Sequence, residues 1–162
     1  MTKITAEELM KRFSMEDHPE NGQFVEKHYV HAGEGRAASG SIYYYVAPGE
    51  KTAFHRIDCD EYWCYVTGNT LDLWQVSPEG EISVVKLGIE EGAEPFVYVK
   101  KGMIFASRHS AETLNPQADG GQTKEGTFLT CITVPRFTYE GFEMFTEEEM
   151  IKNYPPTAEF FK

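Results

Sequence analysis

Residues 49–68 read GEKTAFHRIDCDEYWCYVTG, and their pattern decides the fold and the candidate site. Strand-favouring residues flank Asp58-Cys59-Asp60, which we predict to be the loop of a β-hairpin. Because side chains alternate along a strand, His55 and Glu61 would then share one face as diagonal neighbours, roughly 7–8 Å apart at Cα. The other side chains of that face are apolar or aromatic: Ile57, Trp63 and Tyr65.

An imidazole and a carboxylate on such a face are unusual, because burying them costs roughly several kcal/mol unless they pair or meet a ligand. We therefore predict that His55 and Glu61 line a small-molecule cavity, with Trp63 and Tyr65 as its walls. Two plainer interpretations remain open. His55 and Glu61 would form a structural hydrogen bond, and the aromatic residues would be ordinary core.

The sequence on both sides of this stretch alternates short strand-favouring segments with turn residues such as Pro48-Gly49 and Gly68-Asn69. Many short strands with this punctuation predict a β-sandwich or barrel. A polar segment, residues 111–126, is predicted to be a long loop. The predicted strands are 42–46, 53–57, 61–66, 71–76, 82–87, 96–99, 103–107 and 128–134.

Both ends of the chain carry a helix-start signal. Thr5-Ala6-Glu7-Glu8 and Thr146-Glu147-Glu148-Glu149 each match the capping box, in which Thr and Glu satisfy the free backbone N–H groups of the first turn. We predict short helices over residues 5–13 and 146–153.

The chain of 162 residues carries 15 Lys and Arg against 26 Asp and Glu, a formal net charge of −11. This balance argues against nucleic acid and anionic membranes, which bind clustered basic residues. No apolar run approaches the ~20 residues of a membrane helix, and the first residues are acidic where a secretory signal is apolar. Three cysteines, an odd number, fit reduced thiols. We expect a single cytoplasmic domain, residues 1–162, with a core over about 18–142.

The spacing of Gly49, His55, Glu61 and Gly68 resembles the first motif of the cupin superfamily. The wider chain resembles one cupin branch, the small single-domain Cupin_5 group, a domain of unknown function. The segments that carry this resemblance are His18-Pro19-Glu20-Asn21-Gly22, Ser41-Ile42-Tyr43-Tyr44, Phe54-His55-Arg56, Asp60-Glu61-Tyr62-Trp63 and Cys131-Ile132-Thr133-Val134-Pro135-Arg136-Phe137.

The resemblance implies an all-β cupin or RmlC-like fold, a double-stranded β-helix (jelly-roll barrel) with short terminal helices, and a homodimer. Cupin relatives include metal-free sugar epimerases and isomerases. By analogy of fold, we expect acid–base chemistry of that type on a sugar-like or other small polar metabolite, with His55 and Glu61 as catalytic residues. The residues expected to contact the ligand are Trp63, Tyr65, Phe105, His109 and His18.

The sequence departs from the cupin pattern at the metal-ligand positions. Ile57 stands where a second histidine is usual, and Phe105 stands at the histidine position of the second motif. Since His55 and Glu61 alone are too few for a mononuclear catalytic metal, we expect no cofactor. A divalent metal at His55 and Glu61 remains an alternative. Two alternative functions also remain: a non-catalytic metabolite-binding or sensing module, and a metal-dependent dioxygenase or lyase.

Overall fold

A computed structural model describes residues 4–110 and 125–162 of the chain. The described residues form two antiparallel β-sheets with short helices at both ends of the chain, so the predicted all-β architecture is confirmed. Most of the predicted loop, residues 111–124, lies outside the described residues. None of the helices described is long and apolar enough to cross a membrane.

The two sheets are built from strands that are distant in sequence. In spatial order, the first sheet contains β1 (Glu16–Asp17), β2 (Gln23–Val30), β3 (Ser39–Val46), β10 (Thr127–Val134), β5 (Asp60–Gly68) and β8 (Phe96–Val99). The second sheet contains β11 (Phe142–Met144), β4 (His55–Ile57), β9 (Ile104–His109), β6 (Leu71–Val76) and β7 (Ile82–Leu87). Each predicted strand has a counterpart here. Strands β1, β2 and β11 had no predicted counterpart.

The predicted hairpin around Asp58-Cys59-Asp60 is wrong. Strand β4 pairs with β9 and β11 on its two sides, and β5 pairs with β10 and β8, so neither strand has a free edge to offer the other. The chain instead crosses from the second sheet to the first at Asp58. Arg36 binds the Asp58 carboxylate through two hydrogen bonds of 2.9 and 2.8 Å and fixes this crossing.

The core lies between the two sheets and consists of side chains that alternate inward along each strand. The largest of its fully buried members include Trp63, Tyr44, Phe105 and Leu73. Removing each from water stabilises the fold by about 1.5–3 kcal/mol before the entropy of folding is subtracted. The alternate residues of each strand point away from this core. Arg56 contacts the Glu143 carboxylate, and Arg108 donates to the backbone carbonyls of Glu159 and Phe160.

The terminal helices cover the outer faces of the sheets. Helix α1 (Ala6–Arg12) lies against the first sheet, in a cluster that contains Tyr45 and Phe128. Helix α2 (Glu147–Asn153) and a short α3 (Ala158–Phe161) cover the second sheet. Both predicted helices begin with the predicted capping box, because the signal is local to the chain. Helix α3 was not predicted.

Candidate functional site

A cavity of about 430 Å³ opens between the inner faces of β2, β3 and β10 and the end of β4. Its volume falls in the range of small-molecule sites. Apolar and aromatic side chains make up much of the wall, and a few polar groups converge in its depth. These polar groups include His18, Glu20, His55, Glu61 and Thr133.

His55 and Glu20 form a buried ion pair. The distance from His55 Nε2 to Glu20 Oε2 is 2.9 Å, and the two residues are only 2% and 5% exposed. His55 Nδ1 lies 2.9 Å from the carbonyl of Ala53, which can only accept, so Nδ1 carries a hydrogen. Burial alone would lower the pKa of His55, but Glu20 outweighs it and the pKa is raised. Burial likewise opposes ionisation of Glu20, yet His55 lowers the Glu20 pKa overall.

Glu61 has the opposite electrostatic environment. It is 8% exposed, and burial together with the nearby Glu20 carboxylate raises its pKa to about 7, although His55 works in the other direction. Glu61 lies directly across the β5–β10 pairing from Thr133. The Thr133 hydroxyl oxygen accepts the backbone N–H of Phe137 at 2.9 Å, which leaves its own hydrogen available to a ligand. Near neutral pH, both the protonated and the ionised form of the buried Glu61 carboxyl group are therefore populated.

A tight turn over residues 18–22 places Glu20 beneath His55. The Glu20 carbonyl accepts the backbone N–H of Ala53 at 2.7 Å, which ties the turn to the segment before β4. Gly22 has a φ of 73°, and a Cβ there would lie 2.6 Å from the Tyr44 hydroxyl. That hydroxyl in turn donates to the Asn21 carbonyl at 2.7 Å. Glycine is thus required for the turn to pack against β3.

His18, from the same turn, lies at the cavity wall as a neutral imidazole. Its Nδ1 accepts the backbone N–H of Glu20 at 3.4 Å and lies 3.8 Å from Glu20 Oε2. Burial lowers the pKa of His18, with Glu20 opposing and His55 adding to the effect. Its ring packs against Phe24 at 4.9 Å and Phe137 at 6.2 Å.

This fold occurs in known proteins. The family model described as Cupin superfamily (DUF985), Cupin_5, matches residues 7–145. The chain belongs to the Cupin_5 family. A crystal structure of a Shewanella oneidensis protein is 28% identical with a TM-score of 0.82, covering 97% of this chain and 94% of that one. A hypothetical protein from Leishmania major is 30% identical with a TM-score of 0.75, covering 94% of each chain.

More distant structures share the fold alone. Oxalate decarboxylase from Bacillus subtilis is 14% identical with a TM-score of 0.57, and the match covers 90% of this chain and 34% of that one. No protein of curated function matches the chain. The Cupin_5 assignment and these neighbours agree with the jelly-roll architecture described above.

The structure brings His55, Glu61 and His18 to the Cupin_5 cavity, but it does so by a different route from the predicted hairpin. His55 projects from the second sheet and Glu61 from the first, so the two side chains approach across the interior. The alternation of side chains along a strand correctly predicts that His55 on β4 and Glu61 on β5 both point inward. The two residues therefore reach the same cavity although their strands do not pair with each other.

The other predicted ligand contacts lie outside the cavity wall. Trp63 and Phe105 are fully buried behind it, with their rings 6.2 Å apart, and Phe105 packs 4.1 Å from the His55 ring. Tyr65 donates its hydroxyl to the Gly68 carbonyl at 2.6 Å. His109 lines a separate hollow of about 280 Å³, where burial lowers its pKa to about 4. These residues support the cavity or lie away from it, so we assign them no ligand contact.

The sequence pointed to the turn of His18 and Glu20 as a place that presents one of them to a ligand, but it missed the pairing of Glu20 with His55 and the position of Thr133. Glu20 falls in the His-Pro-Glu segment that carried the family resemblance, yet nothing local to that segment indicates that it reaches His55. Thr133 reads as an ordinary strand residue, and only the pairing of β10 with β5 places it beside Glu61. Both depend on contacts between distant parts of the chain.

The donor set of this cavity does not fit the mononuclear metal of other cupins. A metal needs a free imidazole lone pair, and both ring nitrogens of His55 face protein acceptors. Ile57 and Phe105 offer no donor atom. Within residues 4–110 and 125–162, no group of three or more His, Cys, Asp or Glu is arranged to hold a metal ion.

Proposed function

We propose that this Cupin_5 protein is an enzyme that binds a small polar metabolite in the cavity and moves a proton on it, as isomerases and epimerases do. The observation that carries the proposal is a pair of buried carboxyl groups in opposite environments. His55 lowers the Glu20 pKa against burial, whereas burial raises the Glu61 pKa to about 7. Environments that drive two carboxyl pKa values apart are typical of acid–base sites. A group whose pKa lies near the working pH transfers protons most effectively.

Glu61, rather than His55, is the proton carrier in this proposal. Both nitrogens of His55 already face protein acceptors, the Glu20 carboxylate and the Ala53 carbonyl, so the arrangement suits an imidazolium with two N–H groups. Burial opposes this charge, but Glu20 outweighs burial and the pKa of His55 is raised. Glu61 has both protonation states available near pH 7, as its pKa of about 7 requires. The His55 imidazolium then contributes a fixed positive charge beside the reacting group.

The simplest such reaction is the interconversion of an aldose and a ketose. The Glu61 carboxylate removes a proton from the carbon next to the carbonyl group, and the C–H electron pair becomes the C=C bond of an enediolate. The carbonyl π pair moves to oxygen, where the Thr133 hydroxyl donates a hydrogen bond. Glu61 then returns its proton to the carbon that carried the carbonyl group. The neighbouring hydroxyl group loses its proton to the former carbonyl oxygen and becomes the new carbonyl group. No atom or electron is gained or lost overall.

A non-catalytic binding module is the second candidate. It is favoured by one specific feature, the internal satisfaction of His55 and Glu20, which leaves neither group free to react. In this case the cavity would bind its ligand and release it unchanged.

The two candidates differ in whether carbon-bound hydrogen exchanges with solvent. We would incubate the protein in D₂O with a panel of aldoses, ketoses and keto acids and follow deuterium uptake at the carbon next to the carbonyl by NMR. An enzyme should exchange at least one panel member, and Glu61→Gln should slow that exchange about 10²–10⁴-fold. Ligand binding without any exchange favours the binding module.

Glu143→Gln is the matched control, because Glu143 is a carboxylate on the outside of the barrel that pairs with Arg56. It should exchange at the wild-type rate. Equal exchange by wild type and Glu61→Gln would remove the proposed role of Glu61.

A further inference from the structure

We propose that the cavity selects an uncharged polyhydroxylated carbonyl compound, a free sugar or close analogue, and discriminates against carboxylates and phosphates. This inference rests on the proposed function, since it names the substrate class of the same site. It follows from how the charged groups of the wall are paired.

Every cation on the cavity wall already has a carboxylate partner. Among the wall residues that the structure describes, the cations are Arg136 and the His55 imidazolium. Arg136 Nη2 lies 2.7 Å from Glu26 Oε1, and His55 Nε2 lies 2.9 Å from Glu20 Oε2. A bound anion would therefore have to displace one of these carboxylates or lie beside it.

The remaining ionisable groups of the wall make an anion less favourable still. Glu16 and Glu61 are acidic, and His18 accepts a backbone hydrogen bond at Nδ1 as a neutral imidazole does. Glu61 lies near Glu20 in the buried part of the cavity, where water screens charge poorly. A ligand carboxylate or phosphate placed there would add a further negative charge to an acidic cluster.

The uncharged part of the wall suits a sugar. Phe24, Phe137 and Tyr139 line the cavity, and aromatic side chains of this kind can pack against the C–H surface of a carbohydrate. Thr133 has a free hydrogen to donate, and Ser41 uses its hydrogen on the His28 carbonyl and keeps lone pairs to accept from a ligand hydroxyl. Ring faces combined with uncharged donors and acceptors match a neutral polyol.

The direct test compares binding of paired probes to the wild-type protein by calorimetry. The probes are aldohexoses and ketohexoses, each with its uronate and 6-phosphate, together with oxalate. We expect at least one uncharged sugar to bind, and its anionic counterparts to bind at least about tenfold more weakly. Anions that bind as tightly as their uncharged counterparts, or a panel in which no uncharged sugar binds, would overturn the assignment.

A second arm frees one wall cation. Glu26→Gln leaves Arg136 without its carboxylate partner, so the preference for uncharged over anionic probes should fall by about tenfold. Glu143→Gln frees Arg56 in the same way outside the cavity and should leave the preference unchanged. An equal effect of the two variants contradicts the inference.

The outcome is separable from that of the proposed function. If uncharged sugars bind but none of them exchanges hydrogen, the proposed catalytic activity is contradicted and the selectivity for uncharged sugars is supported. If exchange is confined to keto acids or sugar phosphates, the proposed catalytic activity is supported and the selectivity for uncharged sugars is contradicted.

Discussion

Folding raises the pKa of Glu61 from the ordinary 4.5 to about 7, mainly through burial. The ionised form of this carboxyl group therefore destabilises the folded protein. A carboxyl group with a raised folded-state pKa favours folding only while it is protonated. Its contribution is complete below about pH 4.5, is lost as pH rises, and is gone above about pH 7. At neutral pH the fold therefore carries a penalty at Glu61, which is the kind of penalty that functional sites retain.

This penalty predicts the behaviour of Glu61→Gln in denaturant unfolding. The variant should be more stable than wild type by up to about 3 kcal/mol at about pH 8, since one pKa unit corresponds to about 1.4 kcal/mol. The advantage should shrink as pH falls and disappear at about pH 4. Glu143→Gln, which replaces an exposed carboxylate, should show no such pH-dependent gain. A Glu61→Gln variant that is less stable than wild type at about pH 8 would contradict the raised pKa.

At the scale of elements, the sequence predicted what is local and failed where pairing is long-range. The two capping boxes act within four consecutive residues, and both are present in the structure. Strand-favouring segments located β3 to β10 closely. The partners of β4 and β5 could not be read from the loop between them, because β9, β11, β10 and β8 occupy their edges. The contact of Glu20 with His55 was missed for the same reason, since its turn docks on residues some thirty positions later.

The turn over residues 18–22 is the element whose rigidity the site needs most. Gly22 and Gly92 have similar φ angles, 73° and 79°, but a Cβ at Gly22 would strike Tyr44 while one at Gly92 meets open space. Gly92→Ala should therefore cost about 1 kcal/mol for the backbone alone. Gly22→Ala should cost about 1–3 kcal/mol more, because packing must also shift.

Denaturant unfolding measures both glycine variants, and binding of the panel sugars provides a second readout. Gly22→Ala should also weaken binding, since the turn carries Glu20 and His18, whereas Gly92→Ala should not. Equal losses of stability in the two variants would show that the contact with Tyr44 is unimportant.

At the scale of the molecule, the outer face of the first sheet is only partly covered by α1. Beyond that helix, Tyr62 stacks with Phe96 and Tyr98 at ring distances of 5.6 and 5.2 Å. Phe96 and Tyr98 are 54% and 44% exposed on β8, which is an edge strand of its sheet. Exposed aromatic side chains on an edge strand are typical of a surface that packs against another chain. This patch supports the homodimer that the family resemblance implies, which we propose here.

The homodimer predicts a solution mass of twice 18.4 kDa by light scattering. Phe96→Glu should give the monomer mass, because it places a charge in the aromatic patch that dimer formation would bury. Val84→Glu is the matched control: Val84 is 45% exposed on β7, an edge strand of the other sheet, and its variant should remain dimeric. A monomeric wild-type protein, or equal dissociation of both variants, would place the partner surface elsewhere or remove it. Because the cavity opens between β2, β3, β10 and β4, we expect the Phe96→Glu monomer to keep its affinity for the panel sugars.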